Sequence, residues 1–131
     1  RLSSRPDAFI PCYGEVTLHD YTRPDSWMNS MRRVVDDPYQ LPNFYITPNV
    51  TPDTPPAFIW HTADDQVVSV QDSLALGTAL AKNGVPFEMH IFPHGPHGLG
   101  LAENAPDVAQ WTGLCRRWLR GLGYAQQLQT K

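Results

Sequence analysis

The sequence predicts an α/β fold built on a parallel sheet. Three observations carry the prediction. Short continuous apolar runs stand at residues 8–13 (AFIPCY), 57–61 (AFIWH) and 85–92 (VPFEMHIF); they have strand length and are rich in aromatic and β-branched residues. Helical periodicity stands at residues 69–83 and 106–119. The order strand, helix, strand between 57 and 92 is that of a βαβ unit, whose crossover requires parallel strands.

Taken in order, residues 8–13 read as a short buried strand that Gly14 ends. Pro11 stands against it, because a central strand needs every N–H. Residues 15–56 are irregular and hold seven of the 13 prolines. Within them Asp25 or Ser26 caps a predicted helix running to about Val35, on the spacing of Trp27, Met28, Met31, Val34 and Val35. The rest of that stretch reads as ordered loop with one helical turn, and a loop of this length is either functional or a surface insertion. Residues 57–61 are apolar without alternation, as a strand covered on both faces is.

The helix at 69–83 carries Ser69 and Asp72 at capping-box spacing and Gly84 at the position of a C′ glycine. Residues 85–92 form the third predicted strand. The last helix, 106–119, begins at Pro106, which suits a first turn. It presents Val108, Trp111, Cys115, Trp118, Leu119 and Leu122 as an apolar stripe. Arg116, Arg117 and Arg120 near its end complement the dipole, most simply as a solvated face. Gly121 and Gly123 close it, and a polar tail follows.

Composition narrows the function classes. The chain has 131 residues, 41% hydrophobic and 18% charged, enough apolar material for one core, or for part of a larger domain. A net charge of −3 and the absence of a Lys/Arg-rich run point away from nucleic acid and membrane surfaces as partners. No apolar run approaches the length of a membrane span. Cys12 and Cys115 read as buried thiols. The chain starts at Arg1 without Met and enters a strand almost at once, so it is expected to be the end of a longer protein.

The chemistry lies in two loops. Residues 62–68 hold Asp64 and Asp65; residues 93–101 hold His94 and His97. Each loop follows a strand of the same βαβ unit, so both leave the carboxyl edge of the sheet. Distant carboxylate and imidazole are thereby brought together. Such a carboxylate accepts from imidazole Nδ1–H, fixes the tautomer and stabilises the imidazolium. Either Asp can also simply shape a turn. His97, in Gly95-Pro96-His97-Gly98, sits where glycines let the backbone bend and the ring project as a general base. His94 is the competitor for that role. His61 and His90 lie in apolar strands and read as core histidines with satisfied nitrogens. A rival reading makes His90, His94 and His97 metal ligands; Pro93, Gly95 and Pro96 forbid the helix that would bring such spacing onto one face. No metal and no cofactor is expected.

The run HTADDQVVSVQDSLALGTALAKNGVPFEMHIFPHGPHGLGLA resembles the C-terminal third of an α/β-hydrolase. More narrowly, it resembles the acetyl-esterase and xylan-esterase-like branch related to prolyl-oligopeptidase-type hydrolases. The resemblance covers about residues 5–122, is strong in TPDTPPAFIWHTADDQVV and FPHGPHGLGLA, and is weak over 17–47. It implies that residues 1–131 are the C-terminal part of one α/β-hydrolase domain, with the N-terminal half of the sheet missing. The family's acid lies three residues before the first Val of a D-x-x-V loop, which implies Asp64 with Val67. Its base precedes Gly-Leu, which implies His97. Where family loops often carry Val-Pro, this chain has Val68-Ser69. The family's serine lies in G-x-S-x-G at a strand-to-helix elbow, and no such motif exists here; Ser3 and Ser4 lack the flanking glycines.

The expectation is therefore a piece of a serine carboxylic-ester hydrolase, acting on small or sugar acetyl esters. It carries the triad Asp64 and His97 without a nucleophile, and is inactive alone. Two alternatives stand beside it. One is a serine peptidase of the oligopeptidase type. The other is a non-catalytic α/β module that associates, with itself or another chain, through an exposed sheet edge at residues 8–13.

Overall fold

A computed structural model describes residues 4–17 and 45–124. The helix expected at 25–35 lies outside these residues. The described elements run from a single 3-10 turn, Thr47–Asn49, to strand β1 (Ala57–Thr62), helix α1 (Gln71–Lys82), strand β2 (Phe87–Phe92) and helix α2 (Pro106–Gly121). β1 and β2 pair in parallel, in register from Ala57 opposite Phe87 to Thr62 opposite Phe92. The expected βαβ unit is thus present, and α1 is its crossover.

β1 is the centre of the described structure, and every one of its residues is buried. Its side chains alternate between two cores, as the pleat requires. Ala57 and Ile59 pack with Leu76 and Leu80 of α1, and with Val16 and Val85. Phe58 and Trp60 face the other way, onto Val108 and Cys115 of α2 and onto Ala102. Helices therefore cover both faces of β1, which explains why its sequence is apolar without alternation. On the α2 face the Trp60 and Trp111 rings stack at 5.1 Å. No described helix is long and apolar enough to cross a membrane.

The run 8–13 lies beside β1 in parallel, but not as a continuous strand. Phe9 bridges to Ala57 and Cys12 to Trp60. Phe9 donates to Pro56 and accepts from Phe58, Pro11 accepts from Trp60, and Tyr13 donates to Trp60. The rung missing from this ladder is the one Pro11 would donate, and proline has no N–H. The expected strand is in place with one hydrogen bond deleted from its middle.

Two terminal details of α1 contrast. Its C-terminus ends in a Schellman motif: Gly84, at φ +69°, donates to Ala81, and Val85 donates to Leu80. The expected capping box at its N-terminus is absent. The helix begins at Gln71, two residues later than the spacing predicts, with no side-chain cap bond at Val70. The Asp72 carboxylate instead accepts from the amides of Val16 and Thr17, at 3.0 and 2.9 Å. A tertiary demand for a buried acceptor took the side chain that local capping would have used. α2 matches its expected start at Pro106 and runs two residues past the expected end.

Candidate active site

Both loops leave the carboxyl ends of β1 and β2, which pair through Thr62 and Phe92 at that edge. The acidic loop begins with a tight turn: Ala63 donates to Phe92, and Asp65 to Thr62. This turn sends the two adjacent carboxylates in opposite directions. The Asp65 side chain is fully buried, whereas that of Asp64 is 48% exposed.

Asp65 is the acid that meets His97. His97 Nδ1 lies 2.8 Å from Asp65 Oδ2. The other carboxylate oxygen, Oδ1, accepts from the amides of Val67 at 2.8 Å and Val68 at 3.0 Å. An ionised carboxylate can only accept, so the hydrogen of this pair sits on His97 Nδ1 and leaves Nε2 as the basic nitrogen. Burial pushes the Asp65 carboxyl up; the bonds from His97 and the two amides outweigh it and hold the group below the usual carboxylate range.

The expected pairing of Asp64 with His97 is corrected by this geometry. Asp64 binds the other histidine of the loop, with Oδ2 at 3.0 Å from His94 Nδ1, and its Oδ1 accepts from the Gly95 amide at 2.8 Å. Hydrogen bonds from His94 and Gly95 hold its carboxyl low as well. Thr62 donates to the Gly95 carbonyl at 2.7 Å. Both polar groups of the Gly95 peptide are thus tied to the end of β1, and Asp64 acts as a latch between the loops. A sequence signal for the correction exists. D-x-x-V also fits Asp65 with Val68, which puts Ser69 where family loops often carry proline.

The glycines around His97 behave as expected. Gly98 has φ +82°, and a Cβ on Gly95 would come within 2.8 Å of Thr62 and Leu99. Tyr13, which sequence reasoning did not single out, adds a further support. Its ring meets the His97 ring edge-on at 5.1 Å, and its hydroxyl accepts from the Gly100 amide. Tyr13 itself has φ +41°, an uncommon conformation for a residue with a Cβ. Nothing local in the sequence marks it, because it reaches His97 only through the pairing of residues 9–13 with β1.

The other two described histidines are accounted for. His61 is buried, and both ring nitrogens have partners: Ser73 Oγ at 2.8 Å from Nδ1 and the Val68 carbonyl at 3.0 Å from Nε2. His90 is half-buried and pairs with Glu88, which Arg117 of α2 also reaches. His90, His94 and His97 each address a different carboxylate. Among the described residues no group of three or more His, Cys, Asp or Glu is placed to hold a metal ion. No serine hydroxyl of the described residues is hydrogen-bonded to His97. Both cysteines are free thiols, with Cys115 buried and Cys12 half-buried.

A buried carboxylate orienting an imidazole at the carboxyl edge of a parallel sheet has the geometry that the acid–base half of a nucleophilic triad requires. Comparison with known proteins gives this arrangement a lineage. The chain is 37% identical over 112 residues to endo-1,4-beta-xylanase B of Butyrivibrio fibrisolvens, spanning 86% of this chain and 17% of that protein. It superposes on an acetyl ester-xyloside bifunctional hydrolase from Caldicellulosiruptor lactoaceticus with a TM-score of 0.80 and 39% identity, covering 93% of this chain and 44% of that one. The carboxylesterase Cest-2923 from Lactobacillus plantarum WCFS1 gives a TM-score of 0.81 at 26% identity, over 95% of this chain and 48% of that one. The chain therefore spans less than half the length of each of these relatives. Its parallel strands and flanking helices are part of an α/β-hydrolase fold. With the prolyl oligopeptidase family model matching residues 13–119, the chain belongs to that family of hydrolases.

Proposed function

We propose that residues 1–131 supply the acid and base of a serine carboxylic-ester hydrolase that acts on small or sugar acetyl esters. The observation that carries this reading is the 2.8 Å contact between His97 Nδ1 and the buried Asp65 carboxylate. In the proposed reaction a serine hydroxyl attacks the ester carbonyl while His97 Nε2 takes its proton. Asp65 stabilises the resulting imidazolium and holds the ring in the required tautomer. The imidazolium then gives its proton to the leaving alcohol, and water releases the acyl group by the same route. The sequence has no G-x-S-x-G, so the proposal places the nucleophile and the oxyanion donors outside these residues, in the other part of the same α/β-hydrolase domain. Ester rather than peptide cleavage is favoured by the names of the similar structures, an acetyl ester-xyloside hydrolase and a carboxylesterase.

The test uses p-nitrophenyl acetate. The 131-residue chain alone is expected to leave it unhydrolysed above buffer. Grafted in place of the matching segment of the Caldicellulosiruptor hydrolase, the chain is expected to turn it over, and His97→Ala to abolish the turnover. Hydrolysis by the chain alone, lost in His97→Ala, would overturn the placement of the nucleophile. A folded graft that kept its activity in His97→Ala would overturn the assignment of the base.

A further inference from the structure

We propose that His61 is a positioning residue for the Asp65–His97 pair, the inner end of a line of polar contacts that runs Ser73, His61, Asp65, His97. The proposal rests on the reading of Asp65 and His97 as acid and base. His61 lies on the α1 face of β1, where the strand otherwise presents Ala57 and Ile59, and it is completely buried. A polar ring in that place is costly unless every polar atom is matched. Ser73 of α1 and the Val68 carbonyl match both nitrogens.

The partners fix the tautomer. A carbonyl oxygen only accepts, so the hydrogen of His61 is on Nε2, and Ser73 donates its hydroxyl hydrogen to Nδ1. Nε2 itself also lies 3.4 Å from Asp65 Oδ2, a polar contact beside its hydrogen bond to Val68. That oxygen is the one His97 addresses from the other side. Two imidazoles thus converge on one carboxylate oxygen, one inside the core and one on the functional loop, while Asp65 Oδ1 is held by the Val67 and Val68 amides. Val68 gives its amide to Asp65 and takes the His61 hydrogen on its carbonyl. The acidic loop is therefore closed on itself around Asp65 and pinned to β1 through His61. Without His61, the carboxylate loses the positive end of a fixed dipole beside Oδ2, and the loop loses the tether at Val68.

The chain itself, labelled with 15N-histidine, tests this without any activity measurement. The readout is the His97 Nδ1 proton: its downfield resonance and its exchange rate with water. His61→Leu removes the donor, and His61→Gln places an amide hydrogen near the position of Nε2. His61→Leu is expected to speed exchange of the His97 proton by about tenfold, the worth of the one hydrogen bond that tethers the loop at Val68. His61→Gln is expected to recover most of the slow exchange. A histidine that merely filled the core would lower global stability in His61→Leu and leave the His97 proton unmoved; that result, with unchanged far-UV circular dichroism, overturns the proposal. Should His61→Leu not fold, Ser73→Ala decides, since it withdraws the hydroxyl that anchors His61 Nδ1 and holds the ring in place: faster His97 exchange supports the proposal and unchanged exchange overturns it. An ester-hydrolase reading that failed in the graft would not alter these spectra, so the two failures are distinguishable.

Discussion

Asp64 and Asp65 are chemically identical neighbours with different work, and the difference is made by one turn. The turn buries Asp65 under its own loop amides and leaves Asp64 at the rim, against Gly95 and His94. Substitution should separate the two. In the active graft, Asp65→Asn is expected to lower kcat by about 10⁴-fold, the loss typical when the orienting acid of a triad becomes an amide. Asp64→Asn keeps an oxygen for the Gly95 amide and weakens only a solvent-exposed pair, so a loss under about tenfold is expected. Steady-state rates on p-nitrophenyl acetate check both, and equal losses would contradict the assignment. The residue types and the loops that hold them were legible in the sequence, because each loop follows an apolar run. The choice between adjacent carboxylates was not, because a shift of one position changes which side chain turns inward.

At the scale of elements, local rules and tertiary demands compete, and the winner can be named in each case. The C-terminus of α1 obeys the local rule: Gly84 takes the left-handed conformation that the C′ position requires. Gly84→Ala places a Cβ there, and a cost of about 1–2 kcal/mol is expected from urea unfolding. Its N-terminus breaks the local rule, because the fully enclosed Asp72 carboxylate serves Val16 and Thr17 instead of its own helix. Asp72→Ala should therefore cost more than the loss of a cap. The buried amide of Val16 and the half-buried amide of Thr17 would be left without their acceptor, and about 2–4 kcal/mol is expected by the same measurement. The capping-box spacing was visible in the sequence, but the demand from residues 16 and 17 arises only when that segment docks on α1. The run 8–13 teaches the converse. Its composition located a strand in parallel beside β1, and Pro11 marked the rung that is missing.

Across the whole molecule, stability is distributed unevenly between the carboxyl edge of the sheet and the cores beneath it. The cores are held by apolar contacts on both faces of β1, which do not titrate. The edge is held by two carboxylates that bridge the loops after β1 and β2. Both are held below the ordinary value of 3.8. A carboxyl with a depressed folded-state value contributes its full stabilisation above the unfolded-state value. It loses that contribution as the pH falls through the folded-state value. Acid is thus expected to release the edge before it dissolves the cores, in a window that opens below about pH 4. Hydrogen exchange of the Gly95 amide and the His97 ring proton should accelerate in that window, while circular dichroism of α1 and α2 still reads folded. Asp64→Asn should remove the acid sensitivity at Gly95 and spare it at His97; Asp65→Asn should do the reverse. Loss of helix signal in step with Gly95 exchange would mean that the loops and the cores unfold as one unit, and that the latch has no separate existence.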